Sequence, residues 1–379
     1  MTHISKNNTD IIIAGAGPAG LSAAITALHQ DNHVIIYERQ ADVGHRFNGD
    51  FQGLENWTTD SDVLDELGSI GIEISFGCTP FYEVVLYDPD GRENVCRSTK
   101  PLFYLVRRGT KDSLDFYLKQ QVLNSGAEIR FNSICKKMPD GGIVSQGPHR
   151  ADVIAVGYLF ETPNADGAYV ALSDKLAPQG YAYLLIHNGR GTIASCMFND
   201  FHNENDCLMR TVEFFNQNAG LVMKNKRHFG GTGNFSIPDS AHKNRILYAG
   251  ETAGFQDAFA GFGLRYAMLS GHYAAKSLLD NAPGHYDSMW KKRLLGLMEA
   301  SVVNRYLYAM FGDFGYRSFV KGVAHSKDAR NWIRKRYHPE FWKSIIYPFA
   351  QHSFNRRLKG MCVEANCHCT WCRCQHGEK

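Results

Sequence analysis

Three glycines and a carboxylate form the most specific chemical pattern in the chain. Gly15-Ala16-Gly17-Pro18-Ala19-Gly20 lies between an apolar run and an Ala- and Leu-rich one. Gly15 permits a tight turn, Gly17 lets the backbone approach a pyrophosphate, and Gly20 lets a helix pack closely on a strand. A helix starting there offers free N–H groups and the positive end of its dipole to phosphate. Glu38 stands 23 residues after Gly15, at the end of the next apolar run. An acid at that place accepts hydrogen bonds from ribose hydroxyls. Arg39 and Arg46, just beyond it, are counted with the cofactor-binding residues.

A second pattern lies about 230 residues downstream. Ile246-Leu247-Tyr248-Ala249 leads into Gly250-Glu251-Thr252-Ala253-Gly254, and Gly261-Phe262-Gly263 then opens a helix. Two such turns in one chain are typical of flavin enzymes rather than of nicotinamide dehydrogenases. Glu251 is expected on the ribityl chain. The N-terminus of the second helix would hold the pyrimidine end of the isoalloxazine, where negative charge gathers in reduced flavin. The expected cofactor is FAD, held non-covalently. No further Gly-rich fingerprint marks a nicotinamide domain, so the electron donor, NAD(P)H or a reduced protein carrier, is not written in the sequence.

The end of the chain carries two other signals. Cys367, Cys369, Cys372 and Cys374 place four thiols in eight residues. That density suits one tetrathiolate centre, either zinc or iron–sulfur, while a Cys369–Cys372 dithiol relay and a solvated reduced tail are the alternatives. Ahead of them, residues 291–360 hold 15 Lys and Arg against four Asp and Glu, a net +11, while the rest of the chain carries −8. Trp332, Tyr337, Phe341, Trp342, Phe349 and Phe354 are interleaved with those cations. Cations among aromatics suit an anionic membrane surface better than nucleic acid. A helical cap packing its aromatics onto the body is the other reading, and the two are compatible.

The elements that must position these groups follow from the apolar pattern. Residues 10–14 and 33–37 read as buried strands flanking a helix over 18–30, a βαβ unit with a parallel sheet. The 18 uncharged residues 11–28 could be mistaken for a membrane span or a signal sequence, but four of the first ten are Gly or Pro, so strand, turn and helix is the better reading. A helix over 62–70, a hairpin over 82–97, a strand at 102–106, a helix over 112–124 and a strand at 127–131 come next. A strand is expected at 151–156. Residues 168–172, 181–186 and 192–198 look like an antiparallel sheet, and 206–219 like a helix. A strand at 245–249 and a helix over 261–280 precede helices from 285 to about 355, where apolar residues recur near four-residue spacing. With 379 residues and 44% apolar, the chain has material for two or three domains and is neither disordered, collagen-like nor a coiled coil. Scattered Cys78, Cys96, Cys135, Cys196 and Cys207 read as ordinary reduced thiols, and the expected place is cytoplasmic, peripheral on the inner face of the membrane.

These motifs resemble the FAD-dependent oxidoreductases of the aromatic-hydroxylase superfamily, and within it the geranylgeranyl reductase-like branch. The resemblance spans residues 10–282 and rests on the two Gly-rich turns, Glu38, residues 104–108 leading to Gly126, and Gly180-Tyr181-Ala182-Tyr183 with Gly189 and Gly191. It implies that Arg108, or else Arg107, contacts FAD. It also implies that Asn48, Tyr181 and Tyr183 face the substrate. The chain departs from the pattern in two places. Asn48 falls where these reductases have a loop cysteine. Tyr181-Ala-Tyr183-Leu-Leu-Ile replaces Tyr-x-Trp-x-Phe-Pro. The Asp-Gly pair that hydroxylases carry after the 151–156 strand is absent, as is the halogenase Trp-x-Trp-x-Ile-Pro.

The expected architecture is an α/β fold: a Rossmann-like FAD-binding domain (1–75, 100–160 and 228–282) with an inserted antiparallel β substrate domain (76–99 and 161–227). A basic helical C-terminal extension (283–360) and the Cys-rich tail (361–379) complete it. The implied activity is reduction of carbon–carbon double bonds in an isoprenoid or other lipid-like substrate. A monooxygenase and a flavin- and metal-binding electron carrier are the alternatives.

Overall fold

The computed structural model describes residues 10–357 and 369–372. Its parallel sheet is assembled from three distant pieces of chain. β1 (Ile11–Ala14) and β2 (Val34–Tyr37) pair in parallel, β8 (Glu128–Arg130) adds beyond β2, and β9 (Gly142–Val144) adds on the other side of β1. β16 (Ile246–Tyr248) extends the sheet from β9, and β15 (His242–Lys243) closes it antiparallel, giving the order β15-β16-β9-β1-β2-β8. Runs of Ile and Val suit strands covered on both faces.

Helices α1 (Pro18–Leu28) and α5 (Leu264–Leu279) lie against each other over this sheet. Small residues bring them close: a Cβ on Gly271 would sit 2.0 Å from the Ala19 carbonyl oxygen. Ser22 Oγ seals the contact by donating to the Met268 carbonyl at 2.7 Å. α3 (Leu114–Asn124) packs on α1, with N-cap Ser113 accepting from the Phe116 N–H. α2 (Val63–Ser69) is capped in the same way by Asp62.

The second layer is a seven-stranded sheet. It comprises β5 (Glu83–Tyr87), β6 (Glu93–Arg97), β10 (Val153–Glu161), β11 (Gly167–Ala171), β12 (Tyr181–His187), β13 (Arg190–Met197) and β14 (Lys224–Gly233), in the order β14-β10-β13-β12-β11-β5-β6. All its pairs are antiparallel except β11 with β5. α4 (Glu204–Ala219) covers one face and ends at Gly220 in the left-handed conformation.

Two sequence boundaries move. Residues 151–160 and 228–233 are expected in the flavin domain, but β10 and β14 pair within this seven-stranded sheet. β10 reads as a fully buried strand because both its faces are covered: Ile154 and Val156 pack with Cys207 and Leu208, while Val153 packs with Cys196 and Phe198. β7 (Phe103–Arg107) also lies outside the parallel sheet. It sits between β3 (Phe51–Glu55) and β4 (Cys78–Phe81) in a small antiparallel sheet.

The C-terminal region is helical, as expected. α6 (His285–Trp290) runs through a π turn into α7 (Gly296–Ala324), which kinks at Gly312, φ 50°. α8 (Ala329–Tyr337) and α9 (Phe341–Arg357) follow and pack on α7. Trp290 meets Phe255 at 4.9 Å between ring centroids, and the Tyr308 hydroxyl donates to the Gly180 carbonyl at 3.0 Å. The extension therefore caps both layers.

Candidate cofactor and substrate site

The three glycines of the first turn have different surroundings. Gly15 has φ +104°, and a Cβ there would lie 2.4 Å from the Ser145 carbonyl oxygen at the end of β9. A Cβ on Gly20 would lie 2.0 Å from the Gly15 oxygen. Gly17 differs: nothing lies within 4 Å of its Cβ direction. It is also the N-cap of α1 with no side-chain cap, and Pro18 follows at the first helical position. Gly15 and Gly20 are thus filled by the fold, whereas Gly17 leaves an open cradle at uncapped helix N–H groups, the arrangement a pyrophosphate needs.

Glu38 reaches the same turn. Its carboxylate accepts from the Ala16 N–H at 2.8 Å and from the Gln40 N–H at 2.9 Å. Those two bonds fix the acid at the tip of β2. Arg39 is exposed beside it.

The second turn faces the first. A Cβ on Gly250 would lie 2.9 Å from Ala19 Cβ, so the turn rests on the start of α1. The Arg46 guanidinium bonds the Glu251 carboxylate and the Thr232 carbonyl, linking the β2–β3 loop to this turn and to β14. Gly263 caps α5 without a side-chain cap, so a second uncapped helix end is present. Gly261 has φ +77° and only the Tyr181 hydroxyl near its Cβ direction, at 3.7 Å. The Phe262 ring turns away into the aromatic core, edge-on to Trp57 at 4.8 Å and close above Gly53. These residues fit FAD: an open phosphate cradle, an acid at the ribose position and two uncapped helix N-termini on one side of the parallel sheet.

Arg108 is buried, close enough to Glu251 of the second turn to interact with it electrostatically. It forks onto Asp115 at 2.8 and 2.7 Å, donates to Gln52 at 2.9 Å and stacks on Phe47 at 4.0 Å. Arg107 pairs with Asp112 at 2.7 Å. Asn48 is exposed, and its carbonyl accepts from Arg227 at 3.2 Å.

Tyr181 and Tyr183 stand on one face of β12 with ring centroids 6.1 Å apart. The Tyr181 hydroxyl donates to the Ala260 carbonyl, which brings the substrate sheet onto the second turn. Phe259 and Tyr308 extend this apolar wall, their rings 5.5 Å apart. Burial pushes both Tyr181 and Tyr183 phenols far up, and pushes the neighbouring Cys196 thiol up to about 11, so all three stay protonated at neutral pH.

Three functional groups escape sequence reasoning. Asp257 is buried in the second turn, where its carboxylate accepts from the Phe259 and Ala260 N–H groups at 3.1 and 2.8 Å and from the Tyr337 hydroxyl at 2.9 Å. Burial raises its pKa to about 6, against those three hydrogen bonds. Arg305, 1% exposed, lies over the Phe198 ring at 3.7 Å and bonds the Ala258 and Gln179 carbonyls. A carboxylate between Gly254 and Gly261, and a lone arginine in the apolar run 302–310, were the available signals. Nothing in the sequence marks Tyr337 as their partner. Nearby, Trp57 Nε1 and the Tyr266 hydroxyl are buried without a hydrogen-bond partner among the described residues.

The tail is only partly described. Cys369 and Cys372 are buried against Ala151, Ile154 and Cys207, and the Cys372 N–H points at Cys369 Sγ, 3.5 Å away. Cys367 and Cys374 lie outside the described residues. Among the described residues no group of three or more His, Cys, Asp or Glu could hold a metal ion.

A family model described as FAD binding domain matches residues 10–47, the stretch holding the open glycine cradle and Glu38. Solved flavoprotein structures match nearly the whole chain. A geranylgeranyl bacteriochlorophyll reductase-like protein from Thermoplasma acidophilum aligns with a TM-score of 0.70 at 17% identity, covering 93% of this chain and 99% of that one. The chain has the fold of the FAD-dependent oxidoreductases. The flavin-dependent brominase Bmp2 shares this flavoprotein fold with a TM-score of 0.63 at 14% identity, over 92% of this chain and 100% of that one. The p-nitrophenol 4-monooxygenase PnpA from Pseudomonas putida gives 0.54 at 13%, over 93% and 100%. No curated protein matches in sequence. Among the described residues no helix is long and apolar enough to cross a membrane.

Proposed function

We propose that this flavoprotein reduces a carbon–carbon double bond of a hydrophobic, isoprenoid or lipid-like substrate. The observation that carries the reading is the apolar wall of Tyr181, Tyr183, Phe259 and Tyr308 joined to the second Gly-rich turn through the Tyr181 hydroxyl. Its phenols and thiol are neutral, so the wall offers an alkyl chain contact area and few charges to desolvate. FAD bound at the two turns supplies the hydride. Gly17 and the start of α1 bind its pyrophosphate, Glu38 orients the ribose, and the wall excludes water and lays the alkene beside the turn. The Tyr337 hydroxyl, which donates to Asp257 Oδ2, carries the proton for the second carbon, and Asp257 holds that hydroxyl in place. A pKa near 6 leaves Asp257 mostly ionised at neutral pH, the form that accepts from the Tyr337 O–H.

Arg39 and Arg46 join the cofactor set from the open side, and Asn48 stands at the substrate mouth. Electrons come from NAD(P)H or a reduced protein carrier. The tail thiols Cys367, Cys369, Cys372 and Cys374 are assigned to one zinc or iron–sulfur centre, which metal analysis of anaerobically purified protein checks.

The deciding experiment reduces the purified flavoprotein anaerobically and adds polyprenyl lipids with and without allylic double bonds. Reoxidation of the flavin with formation of the saturated chain supports the reductase. Reoxidation only on admitting oxygen, with an oxygenated product, replaces it with a monooxygenase.

A further inference from the structure

The C-terminal helices treat their aromatic residues in two opposite ways. α7 and α8 turn Tyr308, Tyr316 and Tyr337 inward, all buried. α9 turns Ala350 and the Lys343 side chain inward, and packs Ile346, Tyr347 and Phe354 beside Val302 and Val303. Its outer face is apolar. Phe341, Ile345 and Phe349 are 83%, 56% and 69% exposed, and steps of four residues place them in one line down the helix. Trp342 flanks the line. Met310, Phe311 and Phe314 are likewise exposed around the Gly312 kink of α7, the helix on which α9 packs. Among the described residues, seven of the 12 exposed large apolar side chains therefore lie on two adjoining helices, which scattered surface exposure does not produce.

The stretch of chain that carries this face is basic. Residues 291–360 carry a net +11 in a chain whose remainder is −8. Lys335 and Arg336 are exposed at the end of α8, with the exposed Glu340 between them and the first turn of α9; Lys321 is exposed in the last turn of α7, and Lys327 is exposed between α7 and α8. An apolar line bordered by cations is what a helix needs to lie in an interface, its rings at the acyl boundary and its cations among anionic headgroups. A second copy would bring the exposed Lys321, Lys327, Lys335 and Arg336 of both chains together, which like-charge repulsion opposes. Nucleic acid would satisfy the cations and leave Phe341, Ile345 and Phe349 in water.

We propose that the outer face of α9, with the kink of α7, docks this protein on the surface of an anionic lipid bilayer. This goes beyond the reductase reading and does not depend on it, because docking needs no turnover.

Flotation of the full-length, FAD-loaded protein with vesicles of phosphatidylcholine alone or with 30% phosphatidylglycerol tests it. The expected result is binding to the anionic vesicles that falls at least tenfold as salt rises from 50 to 500 mM. Replacing Phe341, Ile345 and Phe349 together by Ser should also lower binding at least tenfold, with flavin content and sedimentation unchanged. Lys335→Glu with Arg336→Glu should remove the preference for anionic vesicles. Two results overturn the proposal: no binding to anionic vesicles, or binding that both sets of replacements leave unchanged. A dimer that the Ser replacements convert to monomer, with flotation unaltered, overturns it in favour of a second copy.

Discussion

The Tyr337 hydroxyl donates to Asp257 Oδ2 at 2.9 Å, so the last turn of α8 holds a carboxylate inside the second cofactor turn. The bond spans 80 residues and crosses from the helical extension to the flavin body. It makes the extension a structural part of the second Gly-rich turn. Asp257 in turn accepts from the Phe259 and Ala260 N–H groups, shaping the backbone just before Gly261.

That carboxylate gives stability a pH dependence of unusual sign. The folded pKa of about 6 lies above the ordinary carboxyl value of 3.8. The folded state therefore binds the proton more tightly than the unfolded chain. The resulting stabilisation is full below pH 3.8 and is lost as pH rises through 6. The difference is on the order of 3 kcal/mol. Asp257→Asn should flatten this dependence between pH 4 and 7, read by thermal melts of mutant against parent. Parallel pH profiles for the two proteins would refute the assignment. In anaerobic reoxidation the same variant should keep FAD yet slow turnover about 10²-fold.

The glycine turn separates cofactor loss from fold loss. Gly17 has open space where a side chain would go, and Gly20 has the Gly15 carbonyl oxygen at 2.0 Å. Gly17→Val should leave the melting transition near that of apo-protein while flavin absorbance falls at least tenfold. Gly20→Val should lose both, because the clash is with backbone. A Gly17→Val protein that retains full flavin would place the pyrophosphate elsewhere.

Glu38 offers a chemical test of the same site. Its carboxylate accepts from two backbone N–H groups, and the proposed site adds a ribose hydroxyl as a further donor to it. Glu38→Gln keeps the shape but can offer only one good acceptor, so FAD affinity should fall roughly 10-fold, and Glu38→Ala should cost about 2 kcal/mol or more of binding. Titration of apo-protein with FAD, followed by quenching of flavin fluorescence, measures both.

How far the sequence went is clearest from individual strands. The Ile run of β1 and the Val-Ile run of β2 could be nothing but buried parallel strands, and Gly15, Gly17, Gly20 and Glu38 came with them. β3, β4 and β9 were not foreseen, because Gly53, Pro80 and Gly142 break short runs that only pairing partners make into strands. β14, Lys-Asn-Lys-Arg-His-Phe-Gly-Gly-Thr-Gly, has no alternation at all. It is a strand because β10 supplies its hydrogen bonds, and a Cβ on Gly230 would come within 2.8 Å of Thr370 Oγ1 in the tail. Asp257 was hidden for another reason: one carboxylate in a Gly-rich turn looks like loop polarity until Tyr337 arrives from 80 residues away.

Arg305 provides the last test, of how the extension is held. Its guanidinium is buried under the ring of Phe198 at 3.7 Å and bonds the carbonyls of Ala258 and Gln179, one in the cofactor turn and one before the substrate strand β12. Cation and ring attract more strongly here than at a surface, since no water competes. The hydrogen bonds of a charged donor to two carbonyls add roughly 1.5–3 kcal/mol each. Arg305→Met keeps most of the volume and removes the charge, leaving both carbonyls without their donor. It should lower stability by about 3 kcal/mol, and Arg305→Lys should recover only part of this, because a point charge cannot serve two carbonyls and a ring in one plane. Chemical denaturation of the two variants, with flavin fluorescence and far-UV signal recorded together, checks the prediction. If α7 locks the cofactor turn, flavin release should precede unfolding in Arg305→Met and coincide with it in the parent.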